Sequence, residues 1–271
     1  MDFIASFLQG SFYQFGVIIW NSMLAMIGVV STTTPMSFSN TAWTYVATEL
    51  YPLTFSLGTM LLNIFFFVGF FRQASNLKQN FTLEVFVECC IQVVFGNALM
   101  VSGLTMMQLL FRIAAAFSGD LLFSQTITLV QEDLDVASSI FHLFFGVLFF
   151  CLCLICSLIV FFTVYGRYLQ LYLLVATSPL ALATLPGGPG VSQTAFAWIR
   201  TFLGKVFEIV LIVLALAIGI RMCGAISFAD MELPGSIGDG IVQALQNLAT
   251  MVLLTASVKG ADRFLSRAFA L

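Results

Sequence analysis

Between Ile140 and Val164 lie twenty-five consecutive residues without an Asp, Glu, Lys or Arg, and seven of them are phenylalanines. A helix needs about 20 apolar residues to cross the hydrocarbon of a bilayer, so this stretch alone is long enough. Similar runs occur over Leu50–Phe71, Phe202–Arg221 and Ile241–Val258, with a longer, less uniform one over Phe81–Phe111. In lipid, a backbone has no water to bond and must close its own hydrogen bonds, which leaves helices or a closed barrel. Barrel strands would alternate polar and apolar residues over about ten positions, and none of these runs does. Only 8% of the chain is charged and 60% is hydrophobic, against roughly 25% charged residues in soluble domains. A water-soluble fold has no way to hide that much apolar surface.

The expected fold class is therefore an all-α polytopic membrane protein with about five transmembrane helices, 50–71, 81–111, 140–164, 202–221 and 241–258. Residues 1–48 form a separate region: an amphipathic helix over Phe3–Val30, with Ser6, Gly10, Gln14 and Asn21 toward one side, then the linker Ser31-Thr32-Thr33-Thr34-Pro35. That helix is expected to lie on the outer leaflet or pack on a neighbour, with a sixth span as the rival reading. Tyr165-Gly166-Arg167 is expected to end the third span. The stretch Tyr168–Leu185 follows, interrupted by Pro179, which removes a backbone donor and disfavours helix at Ser178. It reads as a kinked interfacial or re-entrant segment, closed by Pro186-Gly187-Gly188-Pro189-Gly190.

Cationic residues favour the cytoplasmic side of a membrane. Placing Arg72, Lys78, Arg167, Arg200, Lys205, Lys259, Arg263 and Arg267 there sends both acid-rich connections outward: 118–139, with Asp120, Glu132, Asp133 and Asp135, and the one holding Asp230, Glu232 and Asp239. This requires that 168–185 not cross. The expectation is a cell-membrane protein with its N-terminus outside and its C-terminus cytoplasmic. The acid in Met1-Asp2-Phe3 stands where a cleavable signal would be positive, so the N-terminus is expected to be retained.

No spacing supports catalysis, and no cofactor or metal is expected. The single histidine, His142, has no nucleophile or carboxylate partner at a recognisable spacing. Cys151, Cys153 and Cys156 sit within an apolar run without His or carboxylate support and read as small buried hydrophobes, as do Cys89, Cys90 and Cys223. The net charge of -3 supplies no basic surface for nucleic acid. The better leads are polar residues inside the runs, because an ionisable group in hydrocarbon costs several kcal/mol and implies a partner or an aqueous path. Glu84 and Glu88 stand one turn apart in the second run; they either pair with Arg72, Lys78 or Arg167, or they line a polar lumen or bind a cytoplasmic partner. Gln243, Gln246, Asn247, Thr250 and Ser257 give the last run a polar stripe that must face protein or water. Gly96 with Gly103, and Ala215 with Gly219, permit close helix contacts.

One stretch carries more information. Tyr165-Gly166-Arg167-Tyr168-Leu169-Gln170-Leu171-Tyr172-Leu173-Leu174, followed by Ala176-Thr177-Ser178-Pro179-Leu180-Ala181-Leu182-Ala183-Thr184, resembles the TrbL-type conjugal transfer membrane proteins. These are polytopic inner-channel subunits of conjugative type IV secretion systems, and the forms on Gram-positive conjugative elements are the most similar. Phe71-Arg72-Gln73-Ala74-Ser75-Asn76-Leu77-Lys78, leading through Thr82-Leu83-Glu84, is similar to that family's entry into its second span, and the likeness extends over about Phe70–Ile220.

The resemblance implies an oligomeric channel or scaffold subunit that helps a single DNA strand with its attached relaxase across the cytoplasmic membrane. Its partners would be other secretion subunits and separate ATPases, with DNA as cargo and membrane lipid around it. Arg167 would then anchor the cytoplasmic end of the third span, beside Tyr165 and Gly166, and Pro179 would break the segment after it. Two rival classes stand beside this one: a small-solute transporter or ion channel, on Glu84, Glu88 and the stripe with Gln243 and Asn247, and an anchor that recruits soluble partners.

Overall fold

The computed structural model describes residues 2–76, 83–122, 139–188, 190–225 and 236–268. These residues form helices and the turns between them: α1 (Asp2–Thr32), α2 (Pro35–Phe38), α3 (Asn40–Tyr45), a π-helical turn (Val46–Leu50), α4 (Tyr51–Asn76), α5 (Leu83–Leu122), α6 (Ser139–Leu182), a 3₁₀ turn (Leu185–Gly187), α7 (Ser192–Ala225) and α8 (Ser236–Ala268). The chain is an all-α polytopic membrane protein. Five helical stretches among the described residues are long and apolar enough to cross a bilayer: Phe12–Thr32, Asn40–Arg72, Cys90–Leu121, Phe145–Leu182 and Ser192–Met222. Four of them overlap the runs 50–71, 81–111, 140–164 and 202–221 expected from sequence, and Phe12–Thr32 falls on the stretch whose rival reading was a sixth span. The run 241–258 lies in α8, where the Gln243 side chain is outside the described residues, and α1 carries no charge between Phe3 and Thr32.

The largest departure from expectation is α6. It does not end at Tyr165-Gly166-Arg167 but continues for another four turns, as a 44-residue helix that at ~1.5 Å per residue is about 66 Å long, against about 30 Å of hydrocarbon. Glycine inside a helix costs only about 1 kcal/mol, and burial across the junction outweighs it: Val164, Arg167, Tyr168 and Leu171 are all buried. Tyr168–Leu182 is thus the end of the third long helix rather than a separate kinked segment.

The contacts divide the chain into two compact units, one of Met1–Thr32, Phe117–Gly166 and Glu208–Leu265, the other of Thr33–Ala116, Arg167–Phe207 and Ser266–Leu271. In the first unit α1 packs on the beginning of α6. Tyr13 lies against Phe149 with ring centroids 4.6 Å apart. Gly16 lets α6 approach, for a Cβ there would stand 3.1 Å from the Phe149 ring and 3.3 Å from Cys153 Sγ. Helices α7 and α8 meet at Gly219, where a Cβ would stand 3.1 Å from Ser257 Oγ.

In the second unit, α4 and α5 pack with the end of α6 and the start of α7 around Leu62, Met100, Leu182 and Ala183. Phe111 bridges Trp43 of α3 and Phe202 of α7, with ring centroids at 6.2 and 5.7 Å. The π-helical turn has a local cause. Pro52 cannot donate to the carbonyl four residues back, and widening the turn just before it absorbs the defect.

Candidate functional site

The stretch Arg167–Thr184 lies in the second unit, where Arg167, Tyr168, Leu171, Tyr172, Val175 and Ser178 are buried. α6 reaches it with two tyrosines one turn apart. Tyr168 donates its hydroxyl to the Thr33 carbonyl at 3.1 Å, and Tyr172 donates to the Pro35 carbonyl at 2.7 Å. Both carbonyls lie where the chain breaks between α1 and α3, a break fixed by Pro35 and by a reciprocal cap between Thr34 and Ser37. Backbone groups freed by a break need partners in an apolar surround, and the Tyr168–Tyr172 pair supplies two. Phe38 completes the clamp by stacking on Tyr168, with centroids 4.0 Å apart. Arg167, buried rather than at an exposed helix end, holds its guanidinium 4.7 Å above the Tyr168 ring.

Pro179 lies in the last turn of α6, buried. Its missing N–H leaves the Val175 carbonyl without its helical donor, and the Ser178 hydroxyl fills that place at 2.8 Å. The chain then leaves the helix through a buried turn that closes its own bonds. Ala183 donates its N–H to the Pro179 carbonyl at 3.0 Å, Gly187 to Thr184 at 3.1 Å, and the Thr184 hydroxyl to Ala181 at 2.7 Å.

This turn runs along α4 because α4 is notched there. A Cβ on Gly58 would stand 2.8 Å from the Pro179 carbonyl oxygen, and one on Gly69 would collide with the Pro186 carbonyl oxygen. Helix α5 fits beside them through Gly96 and Gly103, facing Leu62 and Tyr51, whose hydroxyl donates to the Met100 carbonyl at 2.9 Å. Gly188 and Gly190, at φ +76° and +98°, turn the chain toward α7 in the left-handed region that favours glycine, and Arg72 lies beside Gly190.

The other residues singled out from the sequence are not gathered here. Tyr165 stacks on Phe161 at 4.2 Å. Gly166 has open space where a side chain would be. Glu84 and Glu88 fall on α5 and Gln243 on α8, but their side chains, like that of His142, lie outside the described residues, as do Lys78, Glu132, Asp133, Asp135, Asp230 and Glu232. Asn247 belongs to the first unit, where it is buried and donates its amide to the Tyr13 hydroxyl at 2.7 Å. The stripe on α8 thus meets protein at Asn247 and again at Ser257.

One residue escaped the sequence reading. Glu208 is a carboxylate inside the apolar run of α7 and is only 2% exposed, and the signal that could have found it was an acid isolated within Phe202–Arg221. Among the described residues, no group of three or more His, Cys, Asp or Glu residues is close enough to hold a metal. The site is a proline-broken helix end seated in glycine notches and tied by hydroxyl–carbonyl bonds. Comparison with protein-family models, with curated proteins and with solved structures finds no match to this chain.

Proposed function

We propose that this protein is a channel or scaffold subunit of a conjugative type IV secretion machine, working as an oligomer in the cytoplasmic membrane. The observation that carries the reading is the stretch Tyr165–Thr184. The residues that resemble the TrbL-type proteins are the ones with which the chain ties its helix break and builds its buried turn, so the likeness falls on architecture rather than on shared greasiness. The chain has a net charge of -3, so passing a polyanion needs further copies or partner subunits to frame the path. Other secretion subunits and ATPases are the partners this role demands, with the Lys259–Arg267 end of α8 in the cytoplasm.

The small-solute transporter is the less favoured reading. Its support was Glu84, Glu88 and the polar stripe of α8, and within that stripe the Asn247 amide is spent on Tyr13. The test is to delete the gene in a donor cell, complement it, and measure DNA transfer while asking whether the tagged protein co-purifies with secretion ATPases. Loss of transfer restored by complementation, together with co-purification, is expected. Normal transfer without the gene, or solute flux by the purified protein in liposomes, would remove the proposal.

A further inference from the structure

We infer that the first unit carries a binding groove for one acyl chain of a membrane lipid. The groove lies between α1 and α6, has a volume of about 340 Å³ and opens sideways. Met23 and Met26 of α1 form one wall, and Leu154, Leu158 and Phe161 of α6 form the other. The polar groups at its edge are two serines, Ser22 and Ser157. The Ser157 hydroxyl oxygen is fully covered, so the surface offered to a ligand is hydrocarbon and thioether.

Three features fix the occupant. Depth is the first: Ser22 stands midway along Phe12–Thr32, and Leu154–Phe161 lies wholly inside Phe145–Leu182. With α1 crossing the bilayer, the groove sits near the midplane, where lipids present tails and not headgroups. Size is the second. The volume of about 340 Å³ runs along the stretch from Ile18 to Met26, about 12 Å long at 1.5 Å per residue. A single flexible chain fits. Chemistry is the third, since methionine side chains are unbranched and polarisable and adapt to an irregular apolar guest. The inference concerns α1 and α6 alone and does not depend on the secretion role.

The test uses the full chain in phosphatidylethanolamine/phosphatidylglycerol vesicles doped with a phospholipid that carries a photoactivatable diazirine at mid-chain. Labelled peptides are mapped by mass spectrometry. Labelling of both 18–26 and 154–161 is expected to exceed that of the outward-facing α4 positions Leu57, Ile64 and Phe67, and to fall as unlabelled lipid is added. Ser22→Phe, at an exposed position on the rim, is expected to bring groove labelling down to the α4 level. Labelling equal to α4 in the unaltered protein would mean ordinary surrounding lipid and overturn the inference. So would cross-links joining two copies through Met23 or Phe161, because the groove would then hold a second subunit.

Discussion

The Asn247 side chain, on α8, donates a 2.7 Å hydrogen bond to the hydroxyl of Tyr13, on α1, across 234 positions of sequence. Both residues are buried within the first unit. Polar bonds between membrane helices contribute about 0.6 kcal/mol on average and up to about 2 kcal/mol. Tyr13→Phe should therefore destabilise the protein by about 1 kcal/mol, read as a lowered midpoint of unfolding in mixed micelles. Asn247→Leu in the Tyr13→Phe background should cost less than Asn247→Leu alone. Equal costs in both backgrounds would mean that the bond adds nothing.

Ser178 and Pro179 form a local compensation that a double-mutant cycle can isolate. Ser178→Ala should cost about 1 kcal/mol, because the Val175 carbonyl then loses its donor in a buried place. With Pro179→Ala the backbone N–H returns, and the penalty for losing the serine should shrink toward zero. An unchanged penalty would show that the Ser178 hydroxyl is not replacing the missing amide.

The glycines of the two units should separate sharply when each is changed to alanine. At Gly69 the added methyl group meets the Pro186 carbonyl, and at Gly58 it meets the Pro179 carbonyl, so overpacking of about 1–3 kcal/mol is expected at each. Gly28, Gly166 and Gly260 have nothing within 4 Å, and alanine there should stabilise the helix by about 0.5–1 kcal/mol. Thermal unfolding in detergent ranks all five. A destabilising Gly166→Ala would argue for the turn expected from sequence at Tyr165-Gly166-Arg167.

Tyr172→Phe should weaken the clamp on the break between α1 and α3. The Pro35 carbonyl loses its donor, a cost of about 1–3 kcal/mol for a buried acceptor. Local opening should then appear as faster amide exchange over residues 36–42, with little change in α8. Uniform exchange changes across the chain would indicate general destabilisation and not a local clamp.

Arg167→Glu puts a carboxylate into a buried position that now holds a guanidinium over the Tyr168 ring. Reversing the charge should lower the amount of inserted protein and, with the proposed role, abolish DNA transfer. Arg167→Lys should retain part of both, since an ammonium still lies over the ring but without the planar stacking of a guanidinium. Wild-type protein levels and transfer with Arg167→Glu would deny the residue any such part.

The length and composition of the apolar runs are enough to assign the class of the molecule and most of its helices. Uncharged apolar runs leave the backbone no partner but itself, and that physics acts within about 20 residues, so it is legible without knowing what packs where. It also marked Pro179 and the Pro-Gly turn after it as a break. Packing between distant segments sets where the third long helix ends, whether its polar residues face water or protein, and why certain glycines stand where they do. Gly166 reads locally as a stop, yet burial of Val164, Arg167, Tyr168 and Leu171 carries the helix through it. Gly58 and Gly69 look like ordinary glycines of an apolar helix until the carbonyls of Pro179 and Pro186 arrive from more than a hundred residues away. The same holds for Tyr168 and Tyr172, whose hydroxyls seek the backbone of a distant break. Hydrogen-bond partners and close approaches of that kind are set by distance in space, which the order of residues along the chain does not encode one contact at a time.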